Sequence, residues 1–352
     1  MKFYLVGGAV RDAILGRTIS DRDWVVVGSN PTEMKQAGYK QVGGDFPVFI
    51  HPRSGEEYAL ARTERKTGVS HTDFECYSGS EVTLEDDLKR RDLTINAIAK
   101  SVDGEIIDPF GGRFDIDRKL LRHVSPAFVE DPLRVYRIAR FSAALPAFSI
   151  AEDTFELICG MSKEVHNLPG ERIWGEWKKA AVGQEPWRFF DVIRAVGAVD
   201  PWFTGLNMSS VSQLFRDRNL RGENAFSALG WVTGSPQVSV ICDRIKSPRT
   251  VRSLSMAIAN WGRVIGFYEE SSASEIAAAL SGIGNYRQGP LCEHTLALIE
   301  WITGTSLESL RDVANRARNI KLTENNLRGQ AYGEALSRKR VEFIANHLGI
   351  AG

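Results

Sequence analysis

Apolar positions recur with two different periods along this chain, and the change from one to the other falls about a third of the way in. Lys2 to Val6 is a short apolar run stopped by Gly7-Gly8, and Ala9 to Leu15 follows with helical spacing, closed by Gly16. This predicts strand, tight turn, helix. Asp23-Trp24-Val25-Val26-Val27 is a β-branched run ended by Gly28, and Pro47 to Ile50 and Glu57 to Ala61 are further strand candidates. Thr63 to Thr83 is polar, glycine-containing and aperiodic, the pattern of a long loop. From Leu88 helical spacing takes over, in Leu88 to Ile98, Pro132 to Leu145, Glu152 to Met161, Glu171 to Ala181 and Trp187 to Val196. Almost no strand pattern follows Asp200. The expected fold class is α+β, a small mixed sheet with helices and then an all-helical remainder.

Composition narrows the function classes. At about 150 residues per domain, 352 residues suggest two or three domains. Hydrophobic residues at 43% and charged residues at 25% exclude a disordered, fibrous or membrane chain. Lys+Arg and Asp+Glu are equal at 44, so any RNA site must come from local charge asymmetry. Cys76, Cys159, Cys242 and Cys292 are far apart and form no CxxC pair, which argues against a disulfide framework or a zinc site. The N-terminal apolar run is too short for a signal peptide, and no segment approaches the roughly 18 apolar residues of a spanning helix. A cytoplasmic protein with no membrane partner is expected.

Three stretches carry chemistry. Gly7-Gly8, where a strand meets a helix, lets a ligand approach the backbone, and Arg11 one turn later offers a fork to phosphate oxygens. Asp21-Arg22-Asp23 enters a strand, where side chains two apart share a face, so both carboxylates can converge. Hard oxygens of that kind suit Mg²⁺. In Glu130-Asp131-Pro132-Leu133-Arg134, Asp131 fits the N-cap and Pro132 the first turn of a helix. Arg134, Arg137 and Arg140 then recur every third residue, each step turning back by about 60°, which keeps them out of the core. Taken singly, each feature is commonplace.

Their order is not. VGGAVRD, eight residues, then DRD resembles the active-site signature of the polymerase-β-like nucleotidyltransferase superfamily, and within it the class II, bacterial-type tRNA nucleotidyltransferase and poly(A) polymerase family. Lys89-Arg90-Arg91-Asp92-Leu93-Thr94-Ile95-Asn96-Ala97 is similar to that family's RRDxTxNA motif, and Glu130 to Phe141 to its EDxLRxxRxxRF motif. The resemblance implies a polymerase-β-like nucleotidyltransferase head (residues 1–125), a helical neck carrying a nucleobase template (126–200) and a helical body and tail that bind tRNA (201–352), the whole elongated.

The residue roles follow from the same resemblance. Asp21 and Asp23 become the catalytic Mg²⁺ ligands, with Glu57 a loosely aligned third carboxylate. Gly8, Arg11 and Arg91 hold the triphosphate, and Asp92 accepts from a ribose 2′-hydroxyl. Asp131 accepts from the exocyclic amino group of cytosine or adenine while Arg134 donates to ring acceptors; uracil and guanine would set a carbonyl against the carboxylate. Arg137 and Arg140 serve the phosphates or orient the template. Asp108-Pro109-Phe110-Gly111-Gly112 resembles the turn between head and neck, which would let the head reorient, and Glu171-Arg172-Ile173-Trp174-Gly175-Glu176 the ERIxxE brace of the neck. The implied activity is addition of C, C and A to the tRNA 3′ end from CTP and ATP, with no protein partner.

Past Trp187 the resemblance is loose. Arg311 to Arg340 holds eight basic residues against three acidic ones, a local excess of +5 that would suit an RNA backbone, and Leu327 to Gly333 resembles the family's tail. Two rivals share the head motifs: a poly(A) polymerase, which usually carries a long basic extension not seen in a neutral chain ending at Gly352, and an enzyme adding only CC or only A. Thr63 to Thr83 resembles the intact flexible loop of full CCA-adding enzymes. A catalytically dead RNA-binding protein is opposed by intact Asp21 and Asp23. Of the six histidines, none precedes an aspartate, so the His-Asp phosphohydrolase doublet of many bacterial relatives is missing. Purified protein is accordingly expected to leave a 2′,3′-cyclic phosphate intact, and phosphate release from that substrate would contradict the reading.

Overall fold

Seven strands make one mixed sheet in the first half of the chain. The computed structural model describes residues 1–19, 21–42, 48–66, 74–287, 289–322 and 328–351. The strands are β1 (Lys2–Val6), β2 (Asp23–Val27), β3 (Lys40–Val42), β4 (Val48–Ile50), β5 (Glu57–Leu60), β8 (Ala99–Ser101) and β9 (Ile106–Ile107), in the spatial order β3-β4-β5-β2-β1-β8-β9. Only β2 and β5 run parallel; the other neighbours are antiparallel. Alternation along β2 sends Val25 to one face, with Val6, Leu88, Ala97 and Ala99, and Val26 to the other, with Met34, Phe49, Tyr58 and Leu60. Helices α1 (Gly8–Ile14) and α2 (Pro31–Gln36) accompany these strands. Asn30 caps α2 by accepting from the Thr32 and Glu33 amides, with Pro31 in the first turn.

Three local expectations are corrected. Thr63 to Thr83 is not a plain loop, since β6 (Thr63–Lys66) and β7 (Phe74–Tyr77) pair antiparallel from Thr63↔Tyr77 to Lys66↔Phe74. Ribbon pairing is a backbone property, and the polar sequence hid it; residues 67–73 lie outside the described residues, as does Pro47 of the predicted Pro47 to Ile50 strand. The single helix expected from Leu88 to Ile98 is instead α3 (Leu84–Lys89) followed by a 3₁₀ turn at Thr94–Asn96. Thr83 caps α3 in a reciprocal capping box with Asp86. Downstream, the Asp92 carboxylate accepts from the Leu93 amide and the Asn96 side chain, and these local bonds displace the helical ladder. Finally, Asp131 is extended rather than an N-cap: α5 (Arg134–Ala144) starts after Leu133, and Asp131 accepts from the Leu133 amide just ahead of it.

The rest of the first half is α4 (Gly112–Arg118), the short pair β10 (Leu120–Leu121) and β11 (Ser149–Ile150), and α6 (Glu152–Gly160). The chain divides into two units, residues 1–168 with 195–198, and residues 169–194 with 199–352. The second unit contains no strand among its described residues. Its helices are α7 (Gly170–Ala181), α8 (Trp187–Ala195, ending in the first unit), α9 (Met208–Arg218), α10 (Leu229–Val232), α11 (Ser235–Arg244), α12 (Arg249–Gly266), α13 (Ala273–Gly282), α14 (Leu291–Thr303), α15 (Glu308–Arg318) and α16 (Gly329–Leu348). Fully buried Trp177 of α7 organises an aromatic core with Phe189, Phe190, Phe215 and Phe226. Glu176, of the brace-like motif, is buried beside it on α7.

Much of the basic excess of Arg311 to Arg340 is engaged within this unit. Arg311 pairs with Glu293 and Glu300, Arg316 with Asp312, and Arg318 donates to Asn285. Arg328, Arg338 and Lys339 are exposed, while Glu324 and Leu327 lie outside the described residues. No helix among the described residues is long and apolar enough to cross a membrane.

Asp108-Pro109-Phe110-Gly111-Gly112 has a packing role. The Asp108 carboxylate accepts from the Gly112 and Arg113 amides at 2.7 and 2.8 Å, capping α4. A Cβ on Gly112 would fall 2.2 Å from the Thr94 carbonyl oxygen and 2.7 Å from Ile98 Cγ1. Glycine is therefore what lets α4 seat the 3₁₀ turn. Gly112→Ala is expected to destabilise the protein by about 2 kcal/mol, read as a lower midpoint in denaturant unfolding.

Candidate active site

The sheet register gathers the predicted residues at one end of the strands. Val6, the last residue of β1, stands opposite Asp23, the first of β2, and also opposite Ala99, the first of β8. Asp23 in turn stands opposite Glu57, the first of the parallel strand β5. The Gly7-Gly8 turn, the two aspartates, Glu57 and the Thr94–Asn96 turn therefore all lie at the same sheet edge. Asp21, Asp23 and Glu57 are exposed and line a cleft of ≈ 570 Å³ together with Ile19, Ser54 and Gly55. Neighbouring Glu56 has protein partners of its own: it accepts from Trp24 Nε1 at 3.1 Å and Ser54 Oγ at 3.2 Å and pairs with Arg22.

Among the described residues no three His, Cys, Asp or Glu side chains close around a single point, so there is no complete protein cage. Exposed carboxylates flanked by open positions suit a hard divalent cation that draws its remaining oxygens from water and a nucleotide's phosphates. The donor set fits such an ion.

The turn above the aspartates depends on Gly7 more than on Gly8. Gly7 has φ +70°, donates to the Ile98 carbonyl, and a Cβ there would meet Arg91 Nη1 at 3.0 Å. A Cβ on Gly8 would make only ordinary contact, at 3.5 Å from Arg11 Nη2. The requirement for glycine is at the first position of the pair.

Arg11 and Arg91 both reach this turn, held by acidic and amide partners. Arg11 forks onto Asp12 at 2.9 and 3.0 Å and donates to Asn96 Oδ1 at 2.7 Å. Arg91 pairs with Asp87, which is fully buried and also binds Arg90. Burial would raise the Asp87 carboxyl, but the two guanidiniums more than reverse this and hold it below the usual carboxylate range.

Asp92, expected at a ribose hydroxyl, instead faces protein donors. Its Oδ1 accepts from the Leu93 amide at 2.8 Å and Asn96 Nδ2 at 3.0 Å, and its Oδ2 from Arg137 Nε at 2.8 Å and Nη2 at 2.5 Å. Burial pushes this carboxyl up, yet Arg137, Asn96 and Arg140 bring it far below the ordinary range.

Helix α5 brings three half-buried arginines to the same neighbourhood. Arg137 reaches Asp92, and the guanidiniums of Arg140, Arg11 and Arg137 lie 4.0, 5.6 and 6.0 Å from the Phe141 ring. Arg134, expected at a base, donates to the Ala127 carbonyl at 3.0 Å and the Arg90 carbonyl at 2.6 Å and lies over Phe128. Asp131 is half-buried just before α5. The sequence reading overlooked Asp12, Asp87, Asn96 and Phe141 as members of this cluster. Asp87 had a legible signal, an acid three and four residues before Arg90 and Arg91 on a helix; Asp12 and Asn96 declare themselves only through Arg11.

With this geometry in hand, comparison with known proteins is informative. The poly A polymerase head domain profile matches residues 3–122, and the probable RNA and SrmB-binding site of polymerase A matches residues 147–209. Among solved structures, a CCA-adding enzyme in complex with ATP is 20% identical, with a TM-score of 0.72 over 99% of this chain and 88% of that one. The Thermotoga maritima CCA-adding enzyme complexed with tRNA is 22% identical (TM-score 0.67, 99% and 91% covered), and a tRNA-processing enzyme with CTP is 22% identical (0.65, 97% and 96%). These likenesses are of fold.

The two depressed carboxyls set an acid dependence. Their stabilisation is complete above the unfolded carboxylate range near ~3.9 and is lost as pH falls through and below it. Unfolding midpoints should therefore drop between about pH 5 and about pH 3. Asp87→Asn should be about 3 kcal/mol less stable near neutrality and show a shallower acid decline; an unchanged slope would refute the assignment.

Proposed function

The chain belongs to the class II tRNA nucleotidyltransferase and poly(A) polymerase family and is a nucleotidyltransferase, and on that premise we propose that it adds C, C and A to the tRNA 3′ end from CTP and ATP. The observation that carries this reading is the register Val6↔Asp23↔Glu57, which sets the cleft carboxylates beside the Gly7 turn and its arginines. In this reading residues 1–125 act as the catalytic head, 126–200 as the neck with the base template, and 201–352 as the part that contacts tRNA.

Asp21 and Asp23 would hold Mg²⁺, with Glu57 positioned to assist. The cation, when bound, acidifies the attacking 3′-hydroxyl and offsets charge on the departing pyrophosphate. Arg11 and Arg91 meet the triphosphate at the Gly7-Gly8 turn, where the backbone can be approached closely, and Arg137 and Arg140 add positive charge from α5. Asp131 accepts from the exocyclic amine shared by cytosine and adenine, and Arg134 donates to the ring. The anchors of Arg134 on two backbone carbonyls favour this role, because a guanidinium fixed in plane discriminates better than one that swings. Uracil and guanine would place a carbonyl against Asp131, leaving two acceptors face to face. Relatives of this fold solved with ATP, CTP and tRNA support the substrate assignment.

Transcripts ending at the discriminator base, at C and at CC, each supplied with one nucleotide, test the proposal. CTP should extend the first two and ATP only the third, by a single A. Repeated A addition to every primer would instead identify a poly(A) polymerase. Asp21→Ala should lower incorporation by about a thousandfold, as expected for loss of several kcal/mol of metal stabilisation; incorporation at the wild-type rate would dismiss the cleft as the active site.

A further inference from the structure

An ionised carboxylate has about four acceptor sites, and all four on Asp92 are occupied by protein: the Leu93 amide and Asn96 Nδ2 on Oδ1, Arg137 Nε and Nη2 on Oδ2. The residue is 6% exposed. A ribose hydroxyl could bind only by displacing one of these donors, and a donor left unpaired at a buried site costs more than a new hydrogen bond returns. The contacts continue beyond the carboxylate. Asn96, held by Asp92 through its amide nitrogen, turns its oxygen to Arg11 Nη1 at 2.7 Å. One buried charge thus fixes an arginine of α5 on one side and, through a single amide, an arginine of α1 on the other.

We propose that Asp92 is a positioning residue, which holds Arg137 directly and Arg11 through Asn96 at the spacing that grips the nucleotide's triphosphate, and that it does not read the ribose. The inference rests on the nucleotidyltransferase reading and refines it. Discrimination between ribo- and deoxyribonucleotides is then independent of the Asp92 carboxylate. Asn96 has a related duty. Its two ends are polar in opposite senses, so only an amide can accept from Arg11 and donate to Asp92 at once. The substitution Asn96→Asp would set a second carboxylate against Asp92, and Asn96→Leu would leave both Arg11 and Asp92 without this partner.

The test compares wild type and Asp92→Asn, primed with tRNA ending at C, with CTP and dCTP. Loss of folded protein lowers apparent kcat at constant KM, whereas loosened arginines weaken the hold on the triphosphate. Asp92→Asn is expected to raise KM for CTP and dCTP together by about tenfold, the effect of losing a charged hydrogen bond, with a smaller change in kcat and an unchanged CTP/dCTP ratio of kcat/KM. A ratio that collapses toward one would overturn the proposal and restore a ribose contact, and a fall in kcat alone would reduce Asp92 to a folding role. If Asp92→Asn does not fold, Arg137→Lys, a third exposed on the other side of the pair, carries the test. It retains the charge but cannot fill both Oδ2 sites, so a parallel rise in both KM values supports positioning, and wild-type KM values overturn it. No incorporation of either nucleotide by wild type would sink the proposed activity itself, a failure distinguishable from every other result.

Discussion

The candidate site depends on one buried negative charge. Asp92 is isolated from water, and burial by itself would drive its carboxyl toward the neutral form. Arg137, Asn96 and a main-chain amide prevent this, and the same bonds decide local structure: the Leu93 and Asn96 contacts bend the chain into a 3₁₀ turn where apolar spacing alone favoured a continuous helix. Gly112 makes room for that turn by bringing α4 against the Thr94 carbonyl without a side chain between them. The turn then carries Asn96 to Arg11. A chain of polar contacts of this kind is stable only when every member is satisfied, and here its satisfaction is also what sets the spacing of the arginines.

The sheet supplies the complementary constraint. In a paired strand the register decides which residues become neighbours, and a slip of one position would turn Asp23 to the opposite face. Val25 and Val26, packed into cores on the two faces, hold that register. The acidic cleft and the basic cluster are thus held apart by different means, the first by hydrophobic packing of strands and the second by ion pairs among loops and α5. Such a division suits a site that must accept a highly charged ligand: the carboxylates stay exposed to a cation, while the guanidiniums are held in place by Asp12, Asp87 and Asp92.

The second unit is stabilised mainly by apolar contacts. Trp177 meets four phenylalanines from α8, α9 and the turn before α10, and the arginines of α15 are largely absorbed by Glu293, Glu300, Asp312 and Asn285. The local charge excess visible in that stretch therefore overstates the charge offered to an RNA; exposed Arg328, Arg338 and Lys339 are what remains for that role.

The order of motifs, the α+β division and the identity of Asp21, Asp23, Arg11, Arg91, Asp92, Asp131 and the three arginines of α5 were all legible in the amino-acid sequence, because strand alternation, helical spacing and residue chemistry are local properties. Which side chains meet is not local. Glu57 stands beside Asp23 only because β5 runs parallel to β2, a long-range pairing that no spacing announces. Asp92 faces Arg137 across 45 residues of chain, and Arg11 faces Asn96 across 85. The sequence by itself determined which groups were available for chemistry. Tertiary structure decided which were exposed in the cleft and which were consumed in holding it, since burial and saturation of hydrogen-bonding sites exist only once distant segments have packed together.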